Sequence, residues 1–438
     1  MDIFGRECLQ QNEHLYFYKG EVGVPPLAMV DDLVCISTCG LNSVKMNAFI
    51  NSKTNIKKLQ FGLSKCHKMH VGPTKACCPD LELDNWKVKN VEDIETGEKT
   101  LNDEFDGPKR LEESEVEKYL GDLISKDGSN IKNIMARKAK GTGIVDQIMG
   151  KLRGTVYGPF YFEVGLILRE AMLVNGILTN AEAWYGLTDS EIELLEQVDE
   201  QFLRIFLEVG KGCPKEMLYL ETGTIPLRFT IYKRRLMYLH YLLNENANSL
   251  ISKFLKIQME IPSKQDWINS VEKDLVFLDI FLSYDDIKEL STIQFKSFLD
   301  KIIEAKALEH LNNIKLKHSK VLHIRHDSLC MQPYLSPKNA WDNQLSKFLF
   351  QARTRMLDLR ANFKMKHVKT GLACELGCGE EESQEHLLVC KKIPESSITG
   401  KTVPKYEDLF EIEVDKQMKM AAILKERFLK RKDLLKQK

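Results

Sequence analysis

Neither charge sign is in excess in this 438-residue chain: 63 Lys and Arg stand against 63 Asp and Glu, a formal net charge of zero. That balance excludes a uniformly basic nucleic-acid coat protein and an acidic disordered tail protein, so local charge has to be read instead. Long apolar runs are missing as well. The best stretch, 164–178, is broken by Arg169, Glu170 and Asn175. A membrane helix needs about 20 apolar residues in a row, so no membrane partner is expected. Asp2, Arg6 and Glu7 stand at the N-terminus, with no apolar stretch of the kind a secretory signal carries. Cysteine is sparse and odd in number, 11 in all. This is too thin for a disulfide scaffold, and reduced thiols in an intracellular setting, nuclear or cytoplasmic, are expected. A Gly-rich phosphate loop and a nucleophile elbow are both lacking. Hydrophobic residues make up 43% of the chain. That suffices for ordinary cores, and the length suggests about two to four domains.

The N-terminal third reads as mixed structure. Two short apolar runs flank Asp31-Asp32 within 24–39, which is a hairpin signal. A helix is expected over 42–60 on the spacing of Val44, Ala48 and Ile56, and a short strand over 66–71. Residues 79–118 carry fourteen acids against six bases and little apolar periodicity, so a solvated acidic loop is expected there. Tyr119-Leu120-Gly121-Asp122-Leu123-Ile124-Ser125 reads as a strand ending at the Lys126-Asp127-Gly128 turn. Beyond it the pattern is helical. Thr188-Asp189-Ser190-Glu191 is a capping box that opens a helix with Ile192, Leu195, Val198, Phe202, Ile205 and Phe206 on one face. Pro214 and Pro226 each suit a helix start. The tail, 416–438, has nine bases and two acids and is expected to be a solvated helix.

Neighbouring side chains on a strand point to opposite faces, so two adjacent carboxylates can share an ion only where the strand breaks into a turn. Oxygen ligands of this kind suit Mg²⁺. The run PPLAMVDDLVCIS (25–37), then NSKTNIKKLQFGLSKCHKMHVG (51–72), then YLGDLISKDG (119–128), resembles the C-terminal palm of reverse transcriptases of non-LTR (LINE-type) retrotransposons. The resemblance continues through KNIMARKAKGTGIVDQI (132–148), NAEAWYGLT (180–188) and PKEMLYLE (214–221). It implies that Asp31 and Asp32 ligate Mg²⁺ for RNA-directed DNA synthesis. It places Lys65, on a strand, near the triphosphate, and Tyr119, Leu120 and Gly121 in the primer grip. Met29-Val30 replaces the family's aromatic-Ala pair. The family's third aspartate lies on an earlier palm strand, and only 30 residues precede Asp31. The expectation is therefore a C-terminal portion of the polymerase that is inactive alone, unless a partner chain or upstream segment supplies the fingers and the missing Asp.

Cys374, Cys378, His386 and Cys390 follow one another at spacings of x₃, x₇ and x₃. Three thiolates and one imidazole are a donor set for structural Zn²⁺, and Gly377 and Gly379 let the backbone fold between ligands. LINE-type reverse transcriptases often end in a similar CCHC knuckle with x₂ as its first spacing. His318, His323 and His326 stand among Lys315, Lys317, Lys320 and Arg325 and read as a basic solvated face.

Three stretches concentrate positive charge: 130–153, Lys233-Arg234-Arg235, and 353–369. Helix-borne Lys and Arg hold phosphates without regard to sequence. Within the first stretch Lys132, Arg137, Lys138 and Lys140 are the expected nucleic-acid contacts, where the family places a thumb that grips RNA or DNA. The combined expectation is an α+β fold dominated by α, with these parts: a partial palm (1–72), an acidic insert (73–117), a primer-grip strand and helical thumb (118–250), a helical region (251–370), a zinc knuckle (371–393) and a basic tail (394–438). A helical protein-interaction module is the rival.

Overall fold

The computed structural model describes residues 16–18, 20–24, 26–29, 32–37, 39–71, 79–92, 99–155, 158–396, 405–411 and 413–437. The fold is mostly helical with small, chiefly antiparallel two-stranded sheets. The chain divides into two compact units, one built from 1–136, 183–187 and 238–273, the other from 137–182, 188–237 and 274–438.

In the first unit, β1 (Tyr16–Tyr18) pairs antiparallel with β2 (Val22–Val24), and β3 (Leu27–Met29) with β4 (Asp32–Val34). The second pair is the expected hairpin, with Met29 opposite Asp32. Asp31 lies outside the described residues, and Asp32 is described as strand backbone alone. Helix α1 (Gly40–Lys57) follows where a helix is expected, but with a different inner face. Val44 and Ile56 are 44% and 66% exposed, while Met46, Ile50 and Thr54 are buried. Met46 and Ile50 pack with Leu83, and that contact selects the stripe.

The 79–118 segment departs from its expectation. Strands β6 (Glu82–Glu92) and β7 (Lys99–Arg110) form a long antiparallel ribbon with a bulge between Asn85 and Trp86. Its charges stay solvated but face one another across the strands: Lys87 Nζ lies 2.8 Å from Asp106, and Lys89 Nζ 3.6 Å from Glu104. An asparagine ridge on α1 anchors the ribbon. Asn47 and Asn51 donate to the Glu82 carbonyl at 2.7 and 2.9 Å, Asn51 Oδ1 accepts from the Asp84 N–H at 2.9 Å, and Asn55 Oδ1 accepts from Trp86 Nε1 at 3.1 Å. Asparagines four apart share one helix face, so a single ridge can meet consecutive groups of a strand. The short β5 (His67–Lys68) pairs in parallel with β8 (Glu112–Glu113). Then β9 (Val116–Tyr119) and β10 (Asp122–Ser125) close a two-residue hairpin on Leu120 and Gly121, both in the left-handed region (φ 46° and 91°). Asn133 holds this hairpin: its Oδ1 accepts from the Leu123 N–H at 3.2 Å and its Nδ2 donates to Asp122 at 2.9 Å.

The remaining helices are α2 (Ile131–Thr155), α3 (Tyr161–Leu168), α4 (Asn175–Ile177), α5 (Asp189–Phe206), α6 (Lys215–Thr222), α7 (Leu227–Asn244), α8 (Leu250–Glu260), α9 (Trp267–Phe277), α10 (Tyr284–Glu289), α11 (Thr292–Lys315), α12 (Asn343–Arg353), α13 (Gln384–Val389) and α14 (Val414–Lys436). A π-helical turn, Arg169–Val174, joins α3 to α4. The Thr188 capping box opens α5 as the sequence predicts, and Ser283 and Ser291 do the same for α10 and α11. The second unit's core holds Phe162, Phe202 and Phe206, with ring centroids 5.3 to 5.5 Å apart. Buried forked ion pairs tie its helices. Arg169 donates twice to Asp199 at 2.6 Å, and Arg228 twice to Glu196 at 2.9 Å. No helix among the described residues is long and apolar enough to cross a membrane.

The basic tail departs from its expectation in part. It is helical, as α14, and Lys416, Lys419, Lys432 and Lys436 are exposed, but its other face is packed inward. Met420, Ala421, Ile423, Leu424 and Phe428 are buried, and so are Arg427 and Arg431.

Candidate metal centre

Four side chains from 374–390 converge. Cys374 and Cys378 stand on a tight loop closed by a bridge between Ala373 and Glu381, with Gly377 (φ 78°) and Gly379 (φ 91°) taking its left-handed corners. Ser383 caps α13 by accepting from the His386 N–H at 3.0 Å, which sets His386 one turn into the helix, and Cys390 follows its last residue. The three Sγ atoms and one imidazole nitrogen all lie within 4.8 Å of one another. Cys378 Sγ is 3.1 Å from His386 Nε2 and 3.8 Å from Cys390 Sγ, and Cys374 Sγ is 4.0 Å from Cys390 Sγ. A tetrahedral Zn²⁺ with Zn–S near 2.3 Å separates its sulfurs by about 3.8 Å. The group could hold a metal ion, and the Cys378–Cys390 and Cys374–Cys390 edges are close to that size.

The surroundings prepare thiolates unequally. Burial pushes the Cys374 thiol up to about 11, against a backbone N–H from Leu376 that pulls the other way. The Cys378 thiol is lowered, chiefly by the Glu380 N–H. Amides aimed at sulfur favour the charged, ligating form.

A second layer encloses the loop. Arg427 donates to the carbonyls of Leu387 (2.7 Å) and Cys390 (2.9 Å). Arg431 reaches Glu382 (2.9 Å) and Glu375 (2.7 Å). Glu382 is 1% exposed and also accepts from the backbone of Glu375 and Arg360.

No family model and no curated protein matches this chain.

The other expected site residues do not gather comparably. Lys65 is exposed at the end of a single 3₁₀ turn, Leu63–Lys65, and not on a strand. Tyr119 closes β9, and Leu120 and Gly121 form the tip of its hairpin. The four basic residues of α2 do not make one face. Lys132 and Lys140 are exposed, Arg137 is 5% exposed, Lys138 donates to Gln197 at 2.8 Å, and Lys140 donates to the Gly176 carbonyl at 3.1 Å. The Lys233-Arg234-Arg235 triplet bonds to groups of its own unit: half-exposed Lys233 pairs with Asp300, half-exposed Arg234 with the Leu178 carbonyl, and buried Arg235 with Asp274.

The histidine group is a solvated face only in part: His318, His323, Lys317, Lys320 and Arg325 are exposed, but Lys315 and His326 are buried. His326 has a fully buried side chain whose Nε2 lies 3.1 Å from Glu221. His323 packs edge-on against Phe410 with centroids 4.4 Å apart, and His318 Nε2 lies 3.6 Å from the buried Glu216. Glu221 is the hub here. It accepts from Tyr334 Oη at 2.6 Å and from Arg353 Nε and Nη2 at 3.1 to 3.3 Å. Burial by itself would raise its carboxyl, but Arg353, His326 and Tyr334 together bring it down to about 2. The only local hint of this network is Gly223, two residues on. A Cβ there would stand 2.2 Å from the Met331 amide nitrogen, so the backbones touch where α6 ends.

Proposed function

We propose that this chain is a nucleic-acid-binding protein of the LINE-type reverse transcriptase kind, stabilised by Zn²⁺ on Cys374, Cys378, His386 and Cys390. It holds RNA or DNA without reading sequence. The observation that carries the reading is the C-terminal cluster, whose four donor atoms lie within 4.8 Å of one another. The order of motifs supports it: an Asp-Asp hairpin, a Leu-Gly hairpin, a helical region, then a CCHC group. Zn²⁺ when bound supplies folding energy rather than chemistry, because four protein ligands leave no open position. Copying RNA into DNA is not assigned. That reaction takes three carboxylates around Mg²⁺, and the resemblance maps only Asp31 and Asp32.

The protein purified with its thiols reduced should carry close to one Zn²⁺ per chain by mass spectrometry. It should bind unstructured RNA or single-stranded DNA with micromolar affinity. Absence of zinc removes the metal assignment, and absence of binding at low salt removes the nucleic-acid assignment. The second reading is a helical protein-interaction module. It is favoured by the exposed apolar side chains Phe281 (90%) and Ile293 (82%) and by the pairing of Lys233 and Arg235 with carboxylates of the chain itself. A chain that retains zinc, binds no nucleic acid and captures a protein partner would support it.

A further inference from the structure

We infer that the C-terminal helix is part of the metal centre: Arg427 and Arg431 on α14 are positioning residues for the Cys/His ligands, so metal binding and docking of α14 are coupled. The inference rests on the metal reading above and goes beyond it. A four-ligand knuckle holds itself together by its ion alone, but this one is gripped from a helix some 40 residues further along the chain.

Arg427 acts on the second ligand pair. Its guanidinium donates to Leu387, Cys390 and Ile393, and to Pro394 at 3.2 Å, while the residue is 5% exposed. The last carbonyls of a helix have no partner within it. Arg427 takes the Leu387 carbonyl of α13 and the Cys390 carbonyl just beyond it, and so fixes the backbone from which Cys390 Sγ projects. Three thiolates and one neutral imidazole on Zn²⁺ leave a net charge of −1, which a buried guanidinium complements.

Arg431 acts on the first pair. It bridges Glu375, next to ligand Cys374, and Glu382, at the closing end of the ligand loop. Arg360 adds to the same lock by donating to Glu375 at 3.1 and 3.2 Å. Without Arg431 the buried Glu382 would lose its cation and stand near a second carboxylate, and the loop would have to open to water. The bridge therefore sets how the Cys374–Cys378 loop faces His386 and Cys390.

Coupling of this kind is reciprocal: what α14 does for metal affinity, metal must do for α14. Two measurements on the full chain read the two directions. In Co²⁺ titrations followed by visible d–d bands, Arg427→Ala and Arg431→Ala should each weaken binding 10- to 100-fold. Arg431→Lys should recover part of the loss. Lys419→Ala, an exposed change on the same helix, should change nothing. In hydrogen exchange of the unaltered protein, chelation should deprotect 414–436 together with 374–390. Wild-type affinity in both Arg→Ala variants, or α14 amides that stay protected after chelation, would overturn the inference while leaving the metal reading standing. A wild-type chain that takes up neither Zn²⁺ nor Co²⁺ would overturn both.

Discussion

Glu221 shows how much a single side chain can hold. It is fully buried and receives Arg353, His326 and Tyr334 from outside its own helix. Its carboxyl sits at about 2 in the folded chain, against about 4.3 when unfolded. A depressed folded value contributes stability above the unfolded value, and that stability is lost as pH falls through the folded one. The Glu221 part of the urea midpoint, read as the difference between wild type and Glu221→Gln, should therefore be level above about pH 5 and drop between about pH 4.5 and 2. Glu221→Gln should cost about 3–5 kcal/mol at neutral pH, because it strands the Arg353 charge in the interior. It should also flatten the acid dependence. A variant with the wild-type midpoint would show that the network is not holding the fold.

At the scale of elements, the tip between β9 and β10 places Leu120 at φ 46°. A branched aliphatic side chain is disfavoured there by about 1–2 kcal/mol, whereas Asn tolerates it. Leu120→Asn should raise the urea midpoint by the equivalent of about 1 kcal/mol. An unchanged or lowered midpoint would mean that the leucine makes contacts worth more than the strain. Elements were legible where their information is local. The Thr188 capping box and the stripe from Ile192 to Phe206 lie within a few turns of sequence, whereas Tyr119–Ser125, which reads as one strand, turns at Leu120-Gly121 so that β10 pairs with β9. The metal ligands were legible for the same reason, since 17 residues contain all four. The β6–β7 ribbon was not, because its Lys and acidic residues find each other across strands and look in one dimension like a solvated run. Helix α14 is legible as a helix, but its charge hides its buried face. Its apolar spacing at Met420, Leu424 and Phe428 was available, but the partners of Arg427 and Arg431 lie near 375–394. His326 needed a partner 105 positions away.

For the whole molecule, zero net charge and inward-turned bases bound what nucleic-acid binding can look like. Arg353, Arg355 and Arg360 of the third basic stretch bond to Glu221, Glu385 and Glu375. Lys364, Lys366 and Lys369 of the same stretch remain exposed. A footprint of about three phosphates gives a slope of log K against log salt near −2 on single strands. A slope beyond about −5 in filter binding would require a basic surface larger than this one. The same lack of net charge removes the electrostatic repulsion that keeps copies of a protein apart. Open strand edges are the usual template on which such copies aggregate. The asparagine ridge of α1 already occupies the Glu82 carbonyl and the Asp84 N–H, and the Leu59 carbonyl takes the Trp86 N–H, so at that end the ribbon offers a second copy little bare backbone on which to grow a fibre.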